Sequence, residues 1–277
     1  MFKGFYTVAT GMIAQQRKTD IITNNMANAN TPGYKSDQST IRSFPDMLMS
    51  AVNLNQNASD DNKSMKKVGT LNTGVYLQET IADYTQGSIT STGLTTDVAL
   101  TNGTFPVDAA SGNVGTVLFR LQGENGLEAY TRNGNFTLDG NGNLVNGNGL
   151  FVLDANGQRI QLQDPQFQIS DDGTIVDSNG NTVARLGVSF AANPDYLSKR
   201  DNGLFYTMDG TALPSAYNVE GVTFGLQQGY LEASNVDASR AMTDLLTAYR
   251  AFEANQKVLQ AYDKSMDKAV NEIGRVQ

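Results

Sequence analysis

The segment Ile22-Thr-Asn-Asn-Met-Ala-Asn-Ala-Asn-Thr-Pro-Gly-Tyr-Lys35 marks the end of the first helical pattern in this chain of 277 residues. Upstream of its end, apolar residues recur every three or four positions from Phe5 to Met26, with a polar gap at 15–18, as on one face of an amphipathic helix. Pro32 biases Thr31 out of the helical region, and proline followed by glycine suits the two central positions of a type II turn. The sequence therefore predicts an N-terminal helix that ends before a tight turn.

A second and longer helical pattern lies at the other end of the chain. Ser234-x-x-Asp237 matches a helix-capping box, with aspartate in place of the usual glutamate. Positions spaced by three and four follow, and eight of the ten are apolar: Met242, Leu245, Tyr249, Phe252, Gln256, Leu259, Asp263, Met266, Val270 and Ile273. Further apolar residues widen this stripe: Leu246, Val258, Tyr262 and Ala269. About 40 residues, each adding about 1.5 Å, would make a helix of roughly 60 Å. The short N-terminal helix alone cannot cover such a stripe, so the pattern predicts contacts with neighbouring subunits.

Between the two helical patterns, the sequence changes to short apolar runs separated by turn dipeptides. From about Val75 to Gly229 the separators are Asn-Gly or Asp-x-Asn-Gly, as at 125–126, 139–142 and 177–180. These residues accept the positive φ of tight hairpin turns. This part of the chain therefore predicts an antiparallel β domain made of hairpins.

The predicted fold class is α+β, with N- and C-terminal helices forming a coiled-coil-like α domain and a central antiparallel β domain. Residues 50–74 are dominated by Asn, Asp, Ser and Lys without sustained periodicity, which is typical of a linker or mobile loop. The predicted division assigns 1–35 plus 235–277 to a discontinuous helical domain, 36–74 to a polar connector and 75–234 to the β domain.

The composition excludes several chemistries. The chain has no cysteine and no histidine, which removes disulfides, thiolate metal sites, serine–histidine triads and HExxH zinc sites. Its net charge is −8, whereas duplex DNA and anionic lipid need a basic surface. No run approaches the ~18 apolar residues of a membrane span. We therefore expect no catalytic residues, cofactor, metal or nucleic acid, and no direct membrane insertion.

Two patterns in the β region admit a chemical interpretation. The Asp-x-Asn-x-Asn strings at 139–143 and 177–181 resemble the start of a calcium loop, but the glycine and glutamate required further along are absent. Asx-Gly hairpin turns explain the same residues without a metal. Glu124 and Glu128 could form a glycosidase pair. An envelope carbohydrate-binding or hydrolysing protein is therefore the alternative from another class, although the absence of tryptophan weakens it.

The N-terminal segment resembles the signature of the bacterial flagellar basal-body rod and hook axial proteins, whose first helix ends in a run close to NNxANxNTPGYK. The matching positions are Asn24, Asn25, Ala27, Asn28, Asn30, Thr31, Pro32, Gly33, Tyr34 and Lys35. The stretches Gly229–Asp237 and Tyr249–Asn255 are similar to the C-terminal helix region of the family. Tyr130–Asp139 resembles its conserved β segment and Tyr84–Gly93 its entry strand.

The resemblance implies a structural subunit of the flagellar rod that self-assembles into a hollow helical tube and transmits torque for motility. The terminal helices would form the inner coiled layer and the β domain the outer layer. The implied partners are copies of itself, other flagellar rod and hook proteins, and the flagellar type III export apparatus. The implied location is the basal body in the cell envelope, reached without a cleaved signal peptide.

The chain departs from the family pattern at Asn102–Pro106, where the family usually has a Gly-Phe-Phe element. This departure indicates a divergent rod-type paralogue. The length fits a distal-rod type better than a full hook protein, which usually carries additional outer β domains. A hook or proximal-rod member of the same family is the alternative.

The resemblance also implies which residues serve assembly. The asparagines between Asn24 and Asn30 are expected to hydrogen-bond neighbouring backbones at a crowded junction that fixes the exit of the first helix, and the alternative is an ordinary asparagine-rich helix terminus. The predicted assembly residues are Asn24, Asn25, Ala27, Asn28, Asn30, Thr31, Pro32, Gly33, Tyr34, Met242, Leu245, Tyr249, Phe252, Leu259, Met266 and Ile273.

Overall fold

The structure is an α+β fold with a helix at each end and mostly antiparallel strands between them. The computed structural model describes residues 2–52, 65–109, 111–123, 126–164, 166–200 and 203–273. Helix α1 spans Phe2–Ala27, and helix α2 spans Ala238–Lys268, followed by a π-helical turn at Ala269–Ile273. The predicted fold class is thus confirmed at the level of helices at both ends and antiparallel strands.

Two compact units make up the chain. The helical unit contains the described residues of 1–24, 38–80 and 238–277, and the β unit contains those of 25–37 and 81–237. Each unit is discontinuous in sequence, because the chain enters the β unit near the end of α1, returns to the helical unit for residues 38–80, re-enters the β unit at residue 81 and leaves it just before α2.

The segment predicted as a polar connector contains strands. Its strands and the one that follows are β1 (Asp37–Ser43), β2 (Met47–Val52), β3 (Met65–Leu71) and β4 (Val75–Ala82). β1 pairs with β4, and β2 pairs with β3 in antiparallel register. The prediction of a linker or mobile loop is therefore wrong for β3, while residues 53–64 lie outside the described part of the chain. Side chains along most of β1 alternate between half-buried and exposed, and none is fully buried. Because most of these side chains are polar, the sequence does not show the alternation of apolar and polar residues that is typical of a strand.

The β unit is built from short strands. They are β5 (Ile89–Ser91), β6 (Val98–Asn102), β7 (Thr116–Gln122), β8 (Glu128–Thr131), β9 (Phe136–Leu138), β10 (Leu144–Asn146), β11 (Gln168–Ile169), β12 (Thr174–Val176), β13 (Thr182–Arg185), β14 (Val188–Ala191), β15 (Leu197–Lys199), β16 (Phe205–Thr207), β17 (Phe224–Gln228) and β18 (Tyr230–Glu232). The largest sheet has the order β14-β7-β8-β16-β15, and β17 pairs with β6 and β18 with β5.

Strand β7 lies in the centre of the β-unit core because both of its faces are covered. Val117, Phe119 and Leu121 enter one buried cluster, in which the Phe119 and Phe136 rings meet edge to face at 5.1 Å. Leu118 enters a second cluster on the opposite face. Successive side chains of a strand point to opposite faces, so the apolar run Val117-Leu-Phe119 supplies both clusters at once.

The two calcium-like strings form hairpin turns. One Asp139 carboxylate oxygen accepts the backbone N–H groups of Asn141 and Asn143, each at 2.8 Å. Asp177 makes the equivalent bonds in its own turn, and the glycine of each turn has a φ of 80° or 84°. The pKa of Asp139 is held below its usual value by the hydrogen bonds from the side chain and backbone of Asn143, and that of Asp177 by the backbone N–H of Asn181. Among the described residues, no group of three or more acidic side chains is arranged to hold a metal ion.

Helix α2 is shorter than the predicted rod and begins later. Its first helical residue is Ala238, so Asp237 rather than Ser234 occupies the capping position, and the Ser234 hydroxyl accepts the Val236 N–H at 3.3 Å instead. The α-helix contains 31 residues, which corresponds to about 46 Å at a rise of about 1.5 Å per residue. No described helix is long and apolar enough to cross a membrane.

Loss of stability at high pH is expected from the buried tyrosines of the β unit. Burial raises the pKa of four of them above the ordinary 10.0: Tyr34, Tyr84, Tyr130 and Tyr217. Because the unfolded chain then ionises first, the free energy of unfolding falls as the pH rises above about 10. Burial lowers the pKa of Lys35 and Lys199, so the folded chain loses these two protons before the unfolded chain does. Their contribution therefore raises the free energy of unfolding with pH, but only up to their unfolded pKa of 10.5.

Urea unfolding from about pH 10.5 to about pH 12 measures this slope. Tyr84→Phe should make the unfolding free energy fall less steeply with pH. Tyr196→Phe should leave the slope unchanged, since the Tyr196 side chain is 67% exposed. Equal slopes in the two variants would show that buried tyrosines do not govern alkaline unfolding.

Candidate functional site

The predicted turn forms at the end of the asparagine-rich segment. The Tyr34 N–H donates to the Thr31 carbonyl at 3.2 Å, and Gly33 has a φ of 67°, as a type II turn requires at its third position. A Cβ atom on Gly33 would lie less than 3.0 Å from the backbone of Arg132 and Asn133. Gly33 is therefore needed both for its backbone conformation and for the close approach of another chain segment.

Asn25 is the asparagine that hydrogen-bonds a neighbouring backbone. Its side-chain N–H donates to the Asp37 carbonyl at 2.8 Å, and its carbonyl oxygen accepts the Asp37 N–H at 2.9 Å. The Tyr34 hydroxyl donates to the same Asn25 oxygen at 3.2 Å. The last turn of α1 is thereby tied to the first residue of β1, and Asn25 and Tyr34 are both buried.

The other predicted residues of the segment have more solvent contact. Asn28 and Pro32 are half-buried, and the Thr31 hydroxyl donates to the Asn28 side-chain oxygen at 3.2 Å. The exposed members are Asn24, Ala27, Asn30 and Thr31. Only part of the predicted set therefore supports the turn from within the chain, and the exposed part faces solvent in this structure.

A buried ion group lies directly beyond the turn. One carboxylate oxygen of Glu232 meets Lys35 Nζ at 2.6 Å, and the other meets Arg132 Nε at 2.5 Å. All three side chains are at most 1% exposed. Although burial would raise it, the pKa of Glu232 is held below its usual 4.5 by the charges of Arg132 and Lys35.

Backbone oxygens complete the coordination of the two cations. Lys35 Nζ also donates to the Thr85 carbonyl at 2.7 Å. The Arg132 guanidinium donates to the Val117 carbonyl at 2.7 Å and to the Leu100 carbonyl at 3.2 Å, and it also bonds the Asn102 side-chain oxygen. Because these charges are paired and closed to solvent, the group stabilises the fold and offers no reactive atom to a substrate.

Two segments of the β unit that are distant in sequence run side by side at this group. We call residues 33–36 the N-side segment and residues 232–235 the C-side segment. The Gly33 N–H donates to the Glu232 carbonyl at 2.7 Å, the Ser36 N–H to Asn235 Oδ1 at 2.8 Å, and the Asn235 N–H to the Tyr34 carbonyl at 3.4 Å. The N-side and C-side segments are thus held together by backbone and side-chain hydrogen bonds.

A second ion pair holds the N-side segment from another direction. Lys199 Nζ donates to the Lys35 carbonyl at 2.7 Å and pairs with the Asp37 carboxylate at 3.0 Å. The same ammonium lies 3.8 Å from the centre of the Tyr34 ring, within the range of a cation–π contact. Lys199 therefore holds the turn through an ion pair with Asp37, a hydrogen bond to the Lys35 backbone and a cation–π contact with Tyr34.

Lys35, Arg132 and Glu232 are absent from the predicted set of assembly residues. A signal was nevertheless present, because each is a charged residue inside a stretch that resembles the flagellar family. The fourth resembling stretch, Tyr84–Gly93, supplies the Thr85 carbonyl to Lys35 and the Gly87 N–H to Glu232. Four of the five resembling stretches therefore meet at the ion group, whereas Tyr249–Asn255 lies on α2.

The face of α2 that is covered within the chain coincides with only part of the predicted stripe. Four predicted residues are half-buried: Leu245, Phe252, Leu259 and Met266. Met242 and Tyr249 are instead 48% and 60% exposed, and the side chain of Ile273 lies outside the described residues. The remaining covered positions of α2 hold mostly alanine, with one asparagine and one tyrosine: Ala241, Ala248, Ala251, Asn255, Tyr262 and Ala269. The predicted stripe thus combines residues that are covered within the chain with residues that stay exposed, and its role in assembly remains a prediction.

Two glycines of α1 mark where it contacts α2. A Cβ atom on Gly4 would lie less than 3.0 Å from the Tyr262 hydroxyl, and one on Gly11 would lie 3.3 Å from Asn255 Nδ2. The two glycines are seven residues apart, and their two partners are seven apart in the opposite order. The helices are therefore antiparallel where they meet.

The candidate glycosidase pair is not available as such. The Glu128 carboxylate pairs with Arg120 and accepts the Tyr130 hydroxyl at 2.7 Å, while Glu124 lies outside the described residues. Glu128 is thus occupied by structural contacts within the largest sheet.

The fold and the buried ion group define a class of structural subunit, in which terminal helices bracket a β unit whose ends are tied together. Family models match three parts of the chain: "Flagella basal body rod protein" at residues 5–35, "Flagellar hook protein FlgE/F/G D1 domain" at 113–164 and "Flagellar basal body rod FlgEFG protein C-terminal" at 227–272. Each of these regions contributes one residue of the ion group.

Curated relatives match along nearly the whole chain. The flagellar hook-basal body complex protein FlhO of Bacillus subtilis is 43% identical over 276 residues, which cover 100% of both proteins. The flagellar basal-body rod protein FlgG of the same organism is 34% identical, with 98% of this chain and 99% of that protein covered. FlgG of Agrobacterium fabrum is 30% identical, with 92% and 94% covered.

The chain belongs to the flagellar basal-body rod and hook protein family. Members of this family are structural subunits of the flagellar basal body and are not enzymes. This membership confirms the predicted resemblance and removes the alternative of a carbohydrate-hydrolysing protein.

Proposed function

We propose that this protein is a subunit of the flagellar rod, which assembles with copies of itself and with other rod and hook proteins into a helical tube that transmits torque. The observation that carries the proposal is an apolar surface left open on α2. Met242, Leu246 and Tyr249 are spaced by four and three residues and so share one side of the helix. They are 48%, 47% and 60% exposed.

The contacts between α1 and α2 support a coiled-coil-like inner layer. The seven-residue spacing of Gly4 and Gly11, and of their partners on α2, is the repeat of a coiled coil. The covered positions of α2 follow the same spacing of three and four from Ala241 to Ala269. In this proposal α1 covers one side of α2, and neighbouring copies cover the side that bears Met242, Leu246 and Tyr249.

The names of the relatives support a place in the rod or next to it. FlgG is named a basal-body rod protein, and FlhO is named a hook-basal body complex protein. We infer that this chain occupies the rod, and we keep a hook or proximal-rod position as the second candidate because of the FlhO name. The location of the protein in purified basal bodies distinguishes the two. Delivery by the flagellar type III export apparatus is part of the same proposal.

Loss of hooks in a strain that lacks this gene tests the structural role. The intact gene should restore hooks and swimming, as scored by electron microscopy and motility agar, whereas a gene without residues 236–277 should not. Normal hooks and swimming in the deletion strain would contradict a required role in the rod.

A charge on the open face of α2 is expected to block assembly without unfolding the monomer. Leu246→Glu places a carboxylate among Met242 and Tyr249, where burial against a neighbour would require its desolvation. Swimming should be lost, while the urea midpoint of the purified monomer should stay within the error of the measurement.

Thr247→Glu is the matched control for this variant. It adds the same charge one residue away, roughly 100° around the helix, at another exposed position, and it should leave swimming intact. Equal loss of swimming in both variants, or in neither, would contradict the assignment of the assembly face.

A further inference from the structure

The ion group connects parts of the chain that are 197 residues apart. Lys35 lies in the N-side segment, which follows α1, and Glu232 begins the C-side segment, which precedes α2. Arg132 belongs to neither segment and directly follows strand β8. The group therefore joins the entry of the β unit, its exit and its interior.

The charges in the group are unequal in number. One carboxylate faces two cations, and all three side chains are at most 1% exposed. The two cations repel each other, because the charge of Arg132 disfavours a charged Lys35, and Asp83 adds only a lesser attraction to Lys35. Without the Glu232 carboxylate, two buried cations would share one site without a direct counter-charge, which is strongly unfavourable.

Glu232 also binds the N-side segment through its backbone. Its carbonyl accepts the Gly33 N–H, and Asn235 bonds the Ser36 N–H and the Tyr34 carbonyl. If the C-side segment left its place, Lys35 would lose its carboxylate and the N-side segment would lose these bonds together. Since a coupling free energy is reciprocal, loss of the N-side segment weakens the C-side segment by the same factor.

We propose that the Lys35–Glu232–Arg132 ion group is a charge-dependent joint that makes the N-side and C-side segments dock on the rest of the β unit together. The joint sets both points from which the chain continues to α1 and α2. A role of the joint in assembly rests on the proposed function. In that role, a subunit would have both the N-side and the C-side segment docked, or neither. The coupling itself is a property of the single chain.

Amide hydrogen exchange on the full-length monomer tests the joint. Glu232→Gln should speed exchange in both the N-side and the C-side segment by at least about tenfold. Lys35→Met alone should speed it less, because Glu232 keeps Arg132. In the Glu232→Gln background, Lys35→Met should instead slow exchange by about tenfold, since it removes a buried cation that has lost its partner.

Glu128→Gln is the control for a general loss of stability. It removes the carboxylate of another ion pair in the β unit, whose side chains are 14% and 21% exposed, and it should leave exchange in both segments unchanged. The proposal is overturned if Glu232→Gln loosens the C-side segment alone. It is also overturned if the double variant exchanges as fast as Glu232→Gln or faster.

If Glu232→Gln does not fold, the proposal is tested by whether the double variant folds. Recovery of a folded chain in the Lys35→Met/Glu232→Gln double variant would support the joint, and a double variant that is equally unfolded would overturn it. The exchange measurements need no assembly, so their outcome is independent of the Leu246→Glu experiment. Failure of the rod proposal and failure of the joint are therefore separable.

Discussion

Replacing Gly33 with alanine is expected to abolish swimming and to lower the free energy of unfolding of the β unit by about 2–5 kcal/mol. Two costs add at this position. The φ of 67° lies in the left-handed region that alanine disfavours. The new Cβ would also lie less than 3.0 Å from the backbone of Arg132 and Asn133, which cannot turn aside as a flexible side chain would.

Gly93→Ala separates these two costs. Gly93 has a φ of 70°, and a Cβ there would meet nothing within 4 Å. It should show only the conformational cost of about 1–2 kcal/mol and should keep swimming intact. Urea unfolding of both variants measures the difference. Equal losses at the two glycines would mean that the close approach at Gly33 has no energetic consequence.

Arg132→Leu should destabilise the β unit by about 2–4 kcal/mol, because it removes several buried hydrogen bonds to a charged group, although Lys35 still pairs with Glu232. The guanidinium is buried against Glu232 at 2.5 Å. Its removal also takes one N–H donor away from each of the Val117 and Leu100 carbonyls. Because leucine can fill only part of the volume and none of the hydrogen bonds, the loss should appear as a lower urea midpoint.

Arg159→Leu is the matched control for Arg132→Leu. Arg159 is exposed, lies 4.1 Å from the centre of the Phe151 ring and donates to Gln122 at 2.7 Å. Its replacement should cost no more than about 1 kcal/mol. Comparable losses for the two arginines would show that burial of the ion group does not increase the cost of breaking it.

The features that local chemistry decides could be predicted from the sequence. Pro32 and Gly33 determine the turn after α1, and the Asx-Gly pairs determine hairpins such as Asp139–Asn143, because each depends on backbone preferences of a few adjacent residues. The end of α1 and the antiparallel character of the β unit follow from the same signals. The resemblance to the flagellar family then supplied the function.

The strands β1 and β3 could not be predicted in the same way. Their stability comes from pairing with β4 and β2, and pairing partners are not visible in a strand's own composition. A polar strand that is exposed on one side has the composition of a loop.

The buried face of α2 shows a different limit. Ala241 and Ala248 lie on it because small side chains permit close approach, while Met242 and Tyr249 are larger and remain outside. The size of an apolar side chain therefore does not predict which residues of α2 are covered within the chain. The ion group was missed for a third reason, since no spacing rule connects Lys35, Arg132 and Glu232.

Residues 81–237, the longer part of the β unit, have adjacent ends, because Asn235 Nδ2 donates to the Asp83 carbonyl at 2.8 Å. Domains whose two ends are adjacent are those that tolerate insertion and exchange. A β unit grafted from a relative should thus be accepted if it brings its own counterparts of Arg132 and Glu232. A small tag placed in the exposed Asp177–Asn181 hairpin turn should likewise be tolerated, and the tagged protein should be incorporated into the flagellum without disturbing its assembly.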